Sequence, residues 1–140
     1  MKVFLSYSDA DQGLARRVAM ALEKAGLDVW QSSRDVLPGD NWAASVAKAL
    51  EECQPMVVLV TPRWLRSRWG MREIEYALGE ESYNWRLIPV FIVGKARNFE
   101  DFEDEVPWIL RRIQGVTLTY PVQEEGLQQI AKVMLNREAA

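Results

Sequence analysis

Trp69 and Glu73 stand four residues apart in Ser67-Arg68-Trp69-Gly70-Met71-Arg72-Glu73, a stretch that follows an apolar run (Met56 to Thr61) and opens a helical pattern. On a helix that spacing stacks an aromatic plate beside a single carboxylate. The buried stripe of the same helix would be Met71, Ile74 and Leu78, which leaves Trp69 and Glu73 off the core. An aromatic beside an acid, near the carboxyl end of a strand, suits cleavage of a glycosidic bond to a flat heterocycle. From spacing alone a helical Glu is more often a solvated surface residue, so the weight falls on the rest of the chain.

The chain narrows the chemistry by what it lacks. It has no histidine, which removes Ser-His and Cys-His nucleophile pairs and the usual zinc sites, and no metal site is expected. Catalysis is left to carboxylates, hydroxyls, Lys, Arg and backbone dipoles. Cys53 is the single cysteine, so no internal disulfide can form and a reducing cytoplasm is the expected compartment. A formal net charge of −3 gives no electrostatic reason for a nucleic-acid partner. The apolar runs fall well short of the ~20 residues of a membrane span, and the N-terminus opens on a strand pattern with no secretory leader expected. With 49% hydrophobic and 26% charged residues, the 140-residue chain reads as one soluble domain over residues 1–140.

Five apolar runs alternate with helical patterns. Lys2 to Tyr7 is the first, followed by a helix with Leu14, Val18, Ala21 and Leu22 on one face, Asp9 or Asp11 as its cap and Gly26 at its end. Leu27 to Trp30 is a short second strand. A polar connection with the turn signal Pro38-Gly39 leads to a second helical stripe of Trp42, Val46, Ala49, Leu50 and Cys53. Met56 to Thr61 is nearly all apolar, as a central parallel strand covered on both faces should be. Thr61-Pro62 is a helix-start signal. Leu87 to Val93 is the fourth run, Val116 to Tyr120 a weaker edge strand, and Leu127, Ile130, Ala131 and Met134 mark a final helix. The acidic run from Glu100 to Glu105 reads as a solvated face, with Pro107 interrupting any helix there.

This βαβ alternation predicts a flavodoxin-like three-layer α/β fold, a five-stranded parallel sheet of order 2-1-3-4-5 with helices on both faces. Ligands of such sheets sit beyond the carboxyl ends of the strands, where strand order reverses. Ser6-Tyr7-Ser8-Asp9, Gln31 to Trp42 and Thr61 to Glu73 converge there, so Tyr7, Trp42, Trp69 and Glu73 can line one crevice. Each aromatic has a structural alternative: Tyr7 as a packed ring, Trp42 as a core anchor, Trp69 as a staple at its helix start. A phosphoacceptor site is excluded because Ser6-Tyr7 and Thr61 stand where acids are needed. No glycine-rich turn follows the first strand, and no P-loop is present. Arg63, Arg66, Arg68 and Arg72 could meet phosphates but read more simply as solvated.

Taken together, these segments resemble the Toll/interleukin receptor (TIR) domain family from Lys2 to about Leu135. Val3-Phe4-Leu5-Ser6-Tyr7-Ser8 looks like the family's first-strand motif, Arg34-Asp35-Val36-Leu37-Pro38-Gly39 like its BB loop, and Ser67-x-Trp69-x-x-x-Glu73 like its helix motif. The resemblance, which extends to bacterial NAD-cleaving members, implies cleavage of the nicotinamide–ribose bond of NAD, to nicotinamide and ADP-ribose or a cyclic isomer. It assigns Glu73 as the catalytic carboxylate, with Tyr7, Ser8, Trp42 and Trp69 at the substrate. Asp35, Pro38 and Gly39 would shape a loop for homotypic assembly with other TIR domains. NAD is then substrate, and no cofactor is implied. Other members act as interaction modules without chemistry, and a nucleoside or nucleotide N-glycosidase of similar fold is a further alternative. A bacterial source and anti-phage defence are the setting the resemblance suggests.

Overall fold

Short runs of β-branched and aliphatic residues become strands because each can bury both faces of a pleated ribbon. The computed structural model describes residues 2–31, 38–39, 41–52, 55–66, 87–94, 106, 110, 113 and 115–139. Within them the strands are β1 (Lys2–Ser6), β2 (Asp28–Trp30), β3 (Met56–Val60), β4 (Leu87–Val93) and β5 (Val116–Thr119). They form one sheet in the order β2-β1-β3-β4-β5, every pair parallel. The helices are α1 (Gln12–Lys24), α2 (Trp42–Glu52), the single turn α3 (Pro62–Leu65) and α4 (Glu124–Ala139). The expected fold and strand order are therefore those found. β5 pairs with β4 alone, as an edge strand should.

Alternation along each strand divides the core in two. Val3 and Leu5 of β1, Val57 and Leu59 of β3 and Ile88, Val90 and Ile92 of β4 face α1 and α4. The helices answer with Val18 and Leu22 from α1, and with Leu127, Ile130 and Met134 from α4. On the other face Phe4, Val58, Val60 and Phe91 meet Trp30, Ala49 and Trp64. Phe4 and Trp30 are register partners on β1 and β2, and their rings stack at 4.9 Å with 21° between planes. Such a pair contributes ~0.5–1.5 kcal/mol beyond the area it buries.

The end of α1 shows how sequence sets a boundary. Gly26 has φ 93°, and the Leu27 amide donates to the Leu22 carbonyl at 3.1 Å while the Gly26 amide donates to Glu23 at 3.0 Å. This closure satisfies carbonyls that the helix itself leaves free, and glycine takes the left-handed conformation without steric cost.

Pro89 lies inside β4, a place that proline rarely takes because it has no N–H for the ladder. Pairing with β5 begins only at Val90, so Pro89 sits where the β5 side needs no donor. The chain entering β5 passes close by: a Cβ on Gly115 would overlap the Pro89 carbonyl oxygen and lie 2.7 Å from its Cγ. Gly115→Ala should therefore lower stability by about 2–3 kcal/mol, the scale of a core overpacking. Urea denaturation reads this directly, and an unchanged midpoint would show that β4 and β5 can separate freely there.

Candidate functional site

β1 lies between β2 and β3, so the chain moves outward to β2 and then crosses back to β3. The loops leaving β1 and β3 therefore flank the point where strand order reverses. They are bound to each other by side chains. Ser6, the last residue of β1, is buried, and its Oγ accepts a hydrogen bond from Trp64 Nε1 at 3.2 Å. Trp64 is itself fully buried. Thr61 Oγ1 donates to Asp11 Oδ2 at 2.5 Å and accepts from the Trp64 amide at 3.1 Å. Arg63 Nη1 donates to the Ala10 carbonyl at 3.0 Å and lies 3.9 Å from Asp11 Oδ1.

Local sequence explains each half of this arrangement. Thr61 in extended conformation followed by Pro62 starts α3 as expected, the threonine capping and the proline supplying a helix-ready φ. On the other side Ser8, not an aspartate, caps the 3-10 turn Asp9–Asp11, accepting from the Ala10 amide at 3.4 Å. Asp11 occupies the position before α1 but makes no capping bond. The expectation that Asp9 or Asp11 caps this helix is thus corrected: the Asp11 carboxylate turns across the crest to Thr61, a charge-assisted bond stronger than an exposed cap. With Thr61 and Arg63 both engaging it, Asp11 is a structural acid rather than a free base.

The expected site residues fall as follows. Ser8 is buried at the crest, and Tyr7 is only 8% exposed, its ring among the cluster on the α1 face. Trp42 is the first residue of α2. Asn41 caps that helix, its Oδ1 accepting from the Ala44 amide at 3.1 Å. Asn before an apolar helical stripe is a start signal that the reading of the Pro38-Gly39 connection passed over. Pro38 and Gly39 form an exposed turn with Gly39 at φ 92°. Trp69, Glu73 and Asp35 lie outside the described residues, as do Cys53 and the acidic run. Among the described residues no three His, Cys, Asp or Glu are grouped to hold a metal, and no helix is long and apolar enough to cross a membrane. Sequence reading did not find the Asp11–Thr61 and Ser6–Trp64 pairs, which join residues 50 and 58 apart.

This fold and crest can be set beside known proteins. The TIR domain family matches over residues 3–131, and the chain belongs to it. It is 30% identical over 94 residues to the stimulator of interferon genes protein of Magallana gigas, which covers 65% of this chain and 23% of that protein. A metazoan TIR-STING receptor from C. gigas, solved with 2',3'-cGAMP, superposes with a TM-score of 0.73 at 26% identity, over 92% of this chain and 38% of the receptor. The chain thus spans well under half the length of both. The TIR domains of the activated Roq1 resistosome, which directly recognizes the pathogen effector XopQ, superpose at 0.72 with 22% identity, over 95% and 98% of the two chains. That last likeness is one of fold.

The crest tie is open to a direct test. Thr61→Val removes a helix cap and the donor to a largely buried carboxylate, and should cost about 2 kcal/mol. Thr61→Ser keeps the hydroxyl and should stay within about 1 kcal/mol of the parent on the same grounds. Equal chemical denaturation midpoints for Val and Ser variants would mean that the hydroxyl contributes nothing.

Proposed function

We propose that the 140 residues act as one TIR domain that cleaves the nicotinamide–ribose bond of NAD, with Glu73 as the catalytic carboxylate. The observation that carries this reading is the tie between the two crest loops: the β3 exit is held to the β1 exit at Thr61 and Trp64, and the chain runs from there into the Trp69-x-x-x-Glu73 motif. Membership of the family over residues 3–131 supports it.

The chemistry needs little beyond these residues. Nicotinamide on ribose is cationic and leaves neutral, so no general acid is required. The barrier lies in the oxocarbenium-like sugar, whose positive charge a carboxylate stabilises while orienting the ribose hydroxyls or the incoming nucleophile. Trp42 and Trp69 hold the flat rings, while Tyr7 and Ser8 shape the floor beyond β1. The product is nicotinamide with ADP-ribose or its cyclic isomer, formed without metal or cofactor.

Assembly completes the site in this reading, with the Asp35, Pro38 and Gly39 loop docking on a neighbouring copy. A cytoplasmic setting and a role in antiviral defence accompany it. The exposed Pro38-Gly39 turn equally suits a second reading, a TIR interaction module that works by homotypic contact alone.

Nicotinamide release from NAD by concentrated, self-associated protein separates the two. Glu73→Gln should reduce release by about 10²–10⁴-fold, the usual contribution of a positioned acid–base group, with folding unchanged. Equal release by the variant removes Glu73 from the chemistry, and no release by the assembled parent favours the interaction module.

A further inference from the structure

β5 ends the sheet, and the Tyr120 amide just beyond it donates to the Val93 carbonyl of β4 at 2.7 Å. Tyr120 thus turns its main-chain groups toward β4. That direction alternates along a strand, so Val116 and Leu118 turn the same way while Thr117 and Thr119 turn outward. The N–H and C=O groups of these two threonines line the outer edge, and among the described residues no strand takes them. Side chains alternate as well. Val116 and Leu118 are buried in the cluster beneath α1 and α4, and Thr117 and Thr119 are exposed on the opposite face.

Edge strands ordinarily carry a guard against pairing with another chain, such as a charge, a proline or a bulge. The other edge, β2, carries an exposed Asp28. β5 has no such guard: its residues, Val-Thr-Leu-Thr, are uncharged, and its register with β4 is unbroken. Three of the four are β-branched, which favours extended pairing.

The same residues select the strand that fits. Two copies related by a two-fold axis normal to the sheet would pair antiparallel, with their helices on one face. With the axis at Leu118, Thr117 of each copy stands opposite Thr119 of the partner subunit, and every outward group finds a partner. Cross-strand threonine pairs are favourable in their own right. An axis at Thr117 would instead set Thr119 against Gly115, which lies before the strand and close against Pro89. Pro121, which has no N–H, ends the pairing on the far side.

We propose that β5 is a self-pairing edge, through which two copies of this chain join antiparallel by Thr117 and Thr119 into one continuous sheet. A four-residue pair is short, so the contact is weak and follows protein concentration. It does not depend on the activity assigned to Glu73.

Sedimentation velocity and amide hydrogen exchange from micromolar to millimolar protein test this. A dimer should accumulate as concentration rises. The Thr117 and Thr119 amides should then exchange about ten-fold more slowly, while Leu118, already turned to β4, changes little. Thr117→Lys with Thr119→Lys sets like charges opposite each other and should weaken dimerisation at least about ten-fold. Thr117→Lys with Thr119→Glu sets opposite charges across each pair and should restore it. Both positions are exposed, so thermal midpoints of the two variants should match the parent. The proposal is overturned by a protein monomeric at every concentration, or by association that leaves the Thr117 and Thr119 amides unchanged. A double-lysine variant that dimerises like the parent overturns it too. Loss of the dimer in the lysine–glutamate variant overturns the pairing of Thr117 with Thr119.

Discussion

Thr61 Oγ1 serves two strands at once. It caps the turn that leaves β3 and reaches across to the Asp11 carboxylate beyond β1. Beneath it the Trp64 indole repeats the connection at Ser6. An open parallel sheet brings its strand ends together without fixing the loops that leave them, since loops carry their own polar backbone and ordinarily face water. These two side-chain bonds remove that freedom at the point of strand reversal. They are largely buried, and a buried bond whose loss strands a charge or a polar group is held more firmly than its net strength suggests. Among the described residues, those of the crest included, no buried side-chain nitrogen or oxygen lacks a partner.

The sheet was legible in the sequence because its determinants are local. Five apolar runs, the Gly26 stop and the Thr61-Pro62 start each follow from a few neighbouring residues, and parallel pairing follows from the βαβ alternation. What escaped was long-range. Asp11 reads as a helix cap from its neighbours, and nothing nearby discloses a threonine 50 residues away. Pro89 illustrates the same limit. It is unremarkable within an apolar run, and only the late start of β5 pairing and the missing side chain of Gly115 explain how a central strand accepts it. Tyr7 was legible as a strand-end residue, while its burial on the α1 face depends on helices that its own segment does not specify.

Family membership and geometry contribute differently to the functional account. The match over residues 3–131 identifies the domain, and the superpositions agree on its architecture. Neither says which chemistry the crest supports. In the structure Asp11, an acid at the β1 exit, is engaged by Thr61 and Arg63. A cavity on the same crest draws its lining from the start of α1, the α3 turn and the ends of β4 and β5.

The central claim is that these two exits form one mechanical unit. Native-state amide hydrogen exchange of Thr61→Val tests it most directly, since local openings are read amide by amide. In the parent, the Asp11 amide donates to the Ser8 carbonyl at 2.7 Å and the Leu65 amide to the Thr61 carbonyl at 3.0 Å, so each reports one exit. The account predicts that exchange accelerates at both amides together while the amides of β3 change only with global stability. Acceleration at Leu65 with Asp11 unaffected would show the two loops moving independently and would contradict it.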